Sequence, residues 1–224
     1  MSINKEVYAT LINELSKSGS TLVAVSKTKP VEDIQELYGL GHRDFGENYV
    51  QELVKKQELL PKDVHWHFIG HLQSNKVKYI APFVHMIHGI DSLRLLEAVN
   101  KEGIKLGRKI NCLLQLHIAR EETKFGLDAA EVRQLAAMYF IQKKFEFVSL
   151  RGLMGMASFT DDTRVVSSEF NELKTLFDEL KSTYSADSND FNTLSMGMSA
   201  DYKLAVESGS NLVRIGSMLF GSRT

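Results

Sequence analysis

The sequence predicts a (β/α)8 TIM barrel, and three observations carry that expectation. Eight short apolar, β-rich runs recur along 224 residues, with segments of helical periodicity between them. Strands joined by helical crossovers pair in parallel. Polar and glycine-rich residues collect at the C-terminal ends of the runs, where a barrel of this kind keeps its functional groups. An open, doubly wound sheet is the competing architecture. It calls for a glycine-rich phosphate loop after the first strand, and Ser26-Lys27-Thr28-Lys29-Pro30 is not one.

Taken in order, Ile3–Ser16 has a helical pattern before any strand, and a helix over residues 3–18 is expected to cover the seam of the barrel. The first strand is Leu22–Thr28. Its period of two puts Val23, Val25 and Lys27 on one face and Leu22, Ala24 and Ser26 on the other. A helix over Val31–Tyr38 follows Pro30, a favoured first-turn residue. Asp44–Glu47, Trp66–Leu72 and Met86–Ile90 read as the second, third and fourth strands. Ser92–Glu102 follows Asp91 as a helix, with Leu93, Leu96 and Val99 spaced for one face. Ile110–Ile118 is the fifth strand, and Asp128–Lys144 the amphipathic helix after it. Phe147–Ala157, the helix Asp162–Thr183 and Thr193–Met198 continue the alternation. Ala200–Ser208 is helical and stops at Gly209, a typical residue just past a helix end. Leu212–Phe220 is the eighth strand. With no linker, low-complexity stretch or repeat, residues 1–224 read as one domain.

Composition excludes several classes of function. The hydrophobic share is 43%, charged residues make up 25%, and the formal net charge is -1. That balance argues against a nucleic-acid binder, which carries a basic excess. No apolar run approaches the roughly 20 residues that span a bilayer. The first residues lack the pattern of a secretory signal, and Cys112 is the only cysteine, so a reducing cytoplasm and a monomer are expected.

The chemistry gathers around Lys27. An ammonium that follows two valines inward needs a partner, a lost proton or a covalent bond. A desolvated lysine is also what imine formation requires, since only the neutral amine attacks a carbonyl. Arg214, between Val213 and Ile215, should point opposite to both and into the barrel. Small residues after strands seven and eight, with Ser195, Ser199 and Ser217 nearby, suit an anion such as phosphate. A phosphorylated aromatic aldehyde satisfies the lysine, the arginine and the loops together.

The runs VAVSKTKP, FGENYVQE, WHFIGHLQSNK, RGLMGM, LSMGMSADY and VRIGSMLFG, in this order from Leu22 onward, resemble the pyridoxal phosphate homeostasis protein family. The resemblance implies a barrel similar to the N-terminal domain of alanine racemase, the fold type III class. It implies pyridoxal 5′-phosphate as cofactor, with a Schiff base on Lys27. It places the phosphate against Ser195, Gly197, Gly216 and Ser217, the last being often threonine in the family. It sets Arg214 at the pyridine nitrogen and Asn48, Met156 and Met198 around the ring. The Glu122–Gly126 run also matches, without a role, and that of His71 is open.

The resemblance further implies a carrier without a reaction of its own, handing the cofactor to apo-enzymes that depend on it. A weak racemase-like enzyme is the alternative. Against it, arginine only donates and cannot keep the ring nitrogen protonated. A racemase also needs a base on each face of its substrate, and Lys27 is the one base the sequence offers. His65, His67 and His71 could suggest a metal, but no carboxylate except Glu47 stands at a comparable strand end, so these histidines are expected to be structural.

Overall fold

Alternation along each strand decides which side chains fill the barrel and which meet the helices. The computed structural model describes residues 3–121, 125–184 and 190–221. Eight parallel strands close into a barrel in sequence order. They are β1 (Thr21–Val25), β2 (Asp44–Glu47), β3 (His65–Phe68), β4 (Met86–Ile90), β5 (Ile110–Gln115), β6 (Val148–Met154), β7 (Thr193–Ser195) and β8 (Leu212–Ile215). The ring closes where Leu22 pairs with Val213 and Val23 with Arg214. The (β/α)8 architecture expected from the sequence is the one observed.

Outward-facing residues, among them Leu22, Ala24, Phe45, Trp66, Phe68, Ile87, Cys112 and Leu114, pack with the helices into one apolar layer. The interior is divided. Met86, Leu113 and Met154 form an apolar cluster on β4 to β6, with Met156 against it. His67, His88, Ser195 and Arg214, all buried, make the other side polar. Burial pushes the Cys112 thiol up, so it serves as a small packed side chain.

The outer layer comprises α1 (Lys5–Ser18), α2 (Val31–Gly39), α3 (Val50–Leu59), α4 (Val77–Ile80), α5 (Leu93–Leu106), α6 (Ala129–Phe140), α7 (Thr163–Tyr184), α8 (Tyr202–Glu207) and α9 (Ser217–Phe220). Among the described residues, no helix is long and apolar enough to cross a membrane. The first helix starts at Asn4, whose side chain accepts from the Val7 N–H. It lies across the outside of the β8–β1 junction. Glu14 accepts from the Tyr202 hydroxyl of α8 at 2.8 Å, Lys5 pairs with Glu36 of α2 at 2.8 Å, and Asn4 N–H donates to Leu219 O at 2.9 Å.

Two kinds of difference from the sequence expectation stand out. Helices α3 and α4 carry no clear signal: neither has a side-chain cap, α3 buries a lysine, and α4 is a single turn. Several strands also stop earlier than their apolar runs. β7 ends at Ser195 rather than Met198, and the eighth run breaks at Ile215, so that Ser217–Phe220 is helical. Apolar character reports burial, and a short buried run reads alike as strand or helix.

Candidate functional site

Lys27 lies two residues past the end of β1, at the C-terminal end of the barrel, and is half-buried. Both its neighbours are tied to one ionic network. Ser26 turns outward and its Oγ donates to Glu47 Oε1 at 2.6 Å. Lys56 of α3 donates to the same oxygen at 2.8 Å, to Ser26 O at 2.7 Å and to Glu52 Oε1 at 2.7 Å. Glu52 in turn accepts from the Thr28 N–H at 2.6 Å. Thr28 sits at φ 64, a left-handed conformation unusual for a β-branched residue and held here by that bond. Burial pushes the Glu47 carboxyl up while Lys56 and Ser26 pull it down. Lys27 itself stands in a turn closed by the Lys29 N–H donating to Ser26 O at 3.0 Å.

The neighbouring strands present loops of small residues. At Gly216 a Cβ would come within 3.1 Å of Val25 O, so β8 approaches β1 as closely as a glycine permits. Its N–H donates to Ser199 Oγ at 3.4 Å, joining the loops after β7 and β8. Gly197 has φ 94, and a Cβ there would lie 2.6 Å from that of Ala205. Ser217 is exposed and opens α9, whose first N–H groups have no acceptor within the helix. Met198 is exposed, and its N–H is taken by Asp201 Oδ1 at 2.6 Å.

Beneath these loops Arg214 is buried. Its Nη1 donates to Ser195 O at 2.9 Å and Ser195 Oγ at 2.6 Å, and its Nη2 to Gly155 O at 3.1 Å. Burial lowers its pKa to about 10, which leaves it charged at neutral pH. From Ser195 a hydrogen-bond chain crosses the barrel. Ser195 Oγ lies 3.1 Å from His88 Nδ1, His88 Nε2 lies 2.9 Å from His67 Nδ1, and His67 Nε2 lies 3.0 Å from Asp44 Oδ1. Burial holds His88 well below the ordinary histidine value, so its ring is neutral. For a neutral His67 ring beside it, one arrangement leaves no lone pair facing another. Ser195 donates to His88, His88 to His67, and His67 to the Asp44 carboxylate.

The sequence-selected residues therefore separate into groups. Lys27, Gly197, Gly216 and Ser217 meet at the mouth on the adjacent strands β7, β8 and β1. Arg214 faces inward as expected. Ser195 is fully buried below the loops, its hydroxyl bonded to Arg214 and His88. Ser199, two residues beyond Gly197, is the hydroxyl that accepts from the Gly216 N–H. Met156 borders the apolar half of the interior. Asn48 follows β2, and its Oδ1 is buried without a hydrogen-bond partner. His71 bonds Asp91 at 2.8 Å and stacks on Phe125, with ring centroids 3.9 Å apart. Of the Glu122–Gly126 run, Glu122, Thr123 and Lys124 lie outside the described residues. Sequence reasoning missed Lys56 and Glu52. Their i,i+4 spacing was the one available signal, and it is shared by many exposed pairs.

A family model, alanine racemase N-terminal domain, matches residues 7–224. The chain is 39% identical over 210 residues to a pyridoxal phosphate homeostasis protein of Pasteurella multocida, covering 92% of this chain and 88% of that one. Among solved structures, it is similar to PipY of Synechococcus elongatus without PLP at TM-score 0.87 and 36% identity, covering 96% and 99% of the two chains. The same protein with PLP bound gives a TM-score of 0.84. Alanine racemase from Bartonella henselae, at 17% identity and TM-score 0.72, shares the fold; 96% of this chain covers 58% of that one.

Proposed function

Because the chain belongs to the pyridoxal phosphate homeostasis protein family, we propose that it binds pyridoxal 5′-phosphate at the open end of the barrel, as an imine on Lys27, and buffers or delivers it without catalysing a reaction of its own. The observation that carries this reading is the meeting, on three adjacent strands, of a positioned lysine, a small-residue cradle and a buried arginine. The residues fit such a group. Asn48 Oδ1 is a buried acceptor lacking a donor. Gly216 and Gly197 are packed against Val25 and against Ala205 and Tyr202, which fixes the backbone of the two loops beside the mouth.

When bound, the cofactor supplies an aldehyde and an electron-accepting ring. The rest is done by the chain. Lys27 would hold the aldehyde, its turn fixed through Ser26 and Thr28 by the Glu47–Lys56–Glu52 network. Ser199, Gly216 and Ser217 would hold the phosphate, Ser199 being the motif hydroxyl that lies at the Gly216 N–H. Arg214 would donate at the ring nitrogen, and since guanidinium cannot accept, it would not keep that nitrogen protonated. The weak electron sink that results favours holding over catalysis.

The test is spectroscopic. The purified protein should be yellow, and borohydride should fix the cofactor to the peptide carrying Lys27. Lys27→Ala should abolish both. A wild-type protein that fails to bind added pyridoxal phosphate overturns the reading. Transfer of cofactor to an apo-enzyme, without exchange of amino-acid α-hydrogens in deuterated water, separates a carrier from a weak racemase.

A further inference from the structure

At the closed end of the barrel, opposite Lys27, a second group of side chains has no part in the function proposed above. We propose that Asp44, His67 and His85 form a binding site for one divalent transition-metal ion of the zinc class. Asp44 opens β2, His85 immediately precedes β4, and His67 lies one inward position along β3 from His65. Strand register brings them together: Asp44 stands opposite His65, and His67 opposite Met86, the neighbour of His85. One ligand atom from each of the three lies within 4.8 Å of the others. Asp44 Oδ1 and His67 Nε2 are 3.0 Å apart, close to the edge of a tetrahedron with metal–ligand bonds of about 2.0–2.2 Å.

The donor set decides the class of ion. Two imidazoles and a carboxylate suit zinc, cobalt, nickel or copper, whereas magnesium and calcium prefer all-oxygen shells. His67 is oriented for the task, because its other ring nitrogen is bonded to His88 at 2.9 Å. His65 closes the cluster from outside: it stacks on His85 at 4.5 Å and its Nδ1 lies 3.2 Å from the same Asp44 oxygen. The site has an entrance, since the side chains of Asp44 and His65 are 25% and 47% exposed. The fourth coordination position falls on that open side, to a water. Arg108 is the nearby cation, and its guanidinium is turned to the carbonyls of Ala81 and Val84. Without metal, the proton on His67 Nε2 lies between the two donors. When the ion takes that place the proton is carried on Nδ1 instead, His67 donating to His88 and His88 to Ser195 Oγ, so His67 binds as a neutral imidazole and no net proton is lost.

Glu47 and Asp44 stand at opposite ends of β2. Glu47 is paired with Lys56 outside the barrel; Asp44, three residues before it, faces the histidines.

Untagged protein stripped with a chelator tests this by titration with zinc, followed calorimetrically, and with cobalt, followed in the visible. One equivalent of each should bind. Cobalt should give the intense absorption of a low-coordinate site and broaden the ring signals of His67 and His85 in the NMR spectrum. Asp44→Asn and His85→Ala should weaken zinc binding by more than about ten-fold, while His71→Ala leaves it unchanged. Near-UV circular dichroism identifies variants that have lost the fold, and the wild-type cobalt spectrum stands without them. Absence of binding to the wild type overturns the site. So does undiminished binding by folded His85→Ala, or loss of binding in His71→Ala. None of these readouts involves the open end, so the two proposals fail separately.

Discussion

A hydroxyl can serve a ligand only with the bonds it has not already made. Ser195 and Ser199 are four residues apart in one motif, yet the first is enclosed by Arg214 and His88 while the second reaches the Gly216 N–H. Ser199→Ala should therefore speed loss of pyridoxal phosphate on dialysis with little change in folding. Ser195→Ala should cost about 1–3 kcal/mol in urea unfolding of the apo-protein, because it leaves buried polar partners unsatisfied. The opposite pattern would return the cradle role to Ser195. The buried histidines make a second prediction. His42, His85 and His88 are all held below 6.5 by burial, His85 at about 4. Below 6.5 the unfolded chain takes up protons that the folded one refuses. Stability is thus complete above 6.5 and declines as pH falls, for His85 down to about 4. Glu47, pushed up by burial, opposes this trend, so the useful comparison is with His88→Gln. In chelator-treated protein the urea midpoint should drop from pH 7.5 to 5.5, and drop less in that variant. A midpoint that is flat or higher at 5.5 contradicts the assignment.

Among helices, α3 does most to fix the site, and it is the one the sequence concealed. Lys56 is buried with Glu47, their side chains 6% and 0% exposed. Removing one partner of such a pair leaves a buried charge uncompensated. Lys56→Met should cost about 3–5 kcal/mol, seen as a lower thermal midpoint. It should also loosen the Lys27 turn, seen as slower return of the yellow band when apo-protein is reloaded. A variant that folds and reloads like wild type removes α3 from the account of the site. Lys27 and the glycine loops were legible beforehand because strand alternation and small residues act locally. Lys56 was not, because a lysine in a helix reads as a solvated one until its partner on another strand is known. The burial of Ser195 below the loops was hidden for a related reason. Where β7 stops depends on its neighbours, and the apolar residues after Ser195 gave no sign of it.

Across the barrel as a whole, the division of the interior into a thioether half and a hydrogen-bonded half places the two proposed sites at opposite ends of one polar column. Every link in that column points the same way, from Arg214 through Ser195, His88 and His67 to Asp44. The column begins at a group that donates and never accepts. A proton could be handed along this column only in the donating direction, toward Asp44, and Arg214 at its head gives none up at neutral pH. The barrel is polar along its axis and yet insulating to proton traffic. Any proton gained or lost at Lys27 must be exchanged with the solvent at the mouth itself.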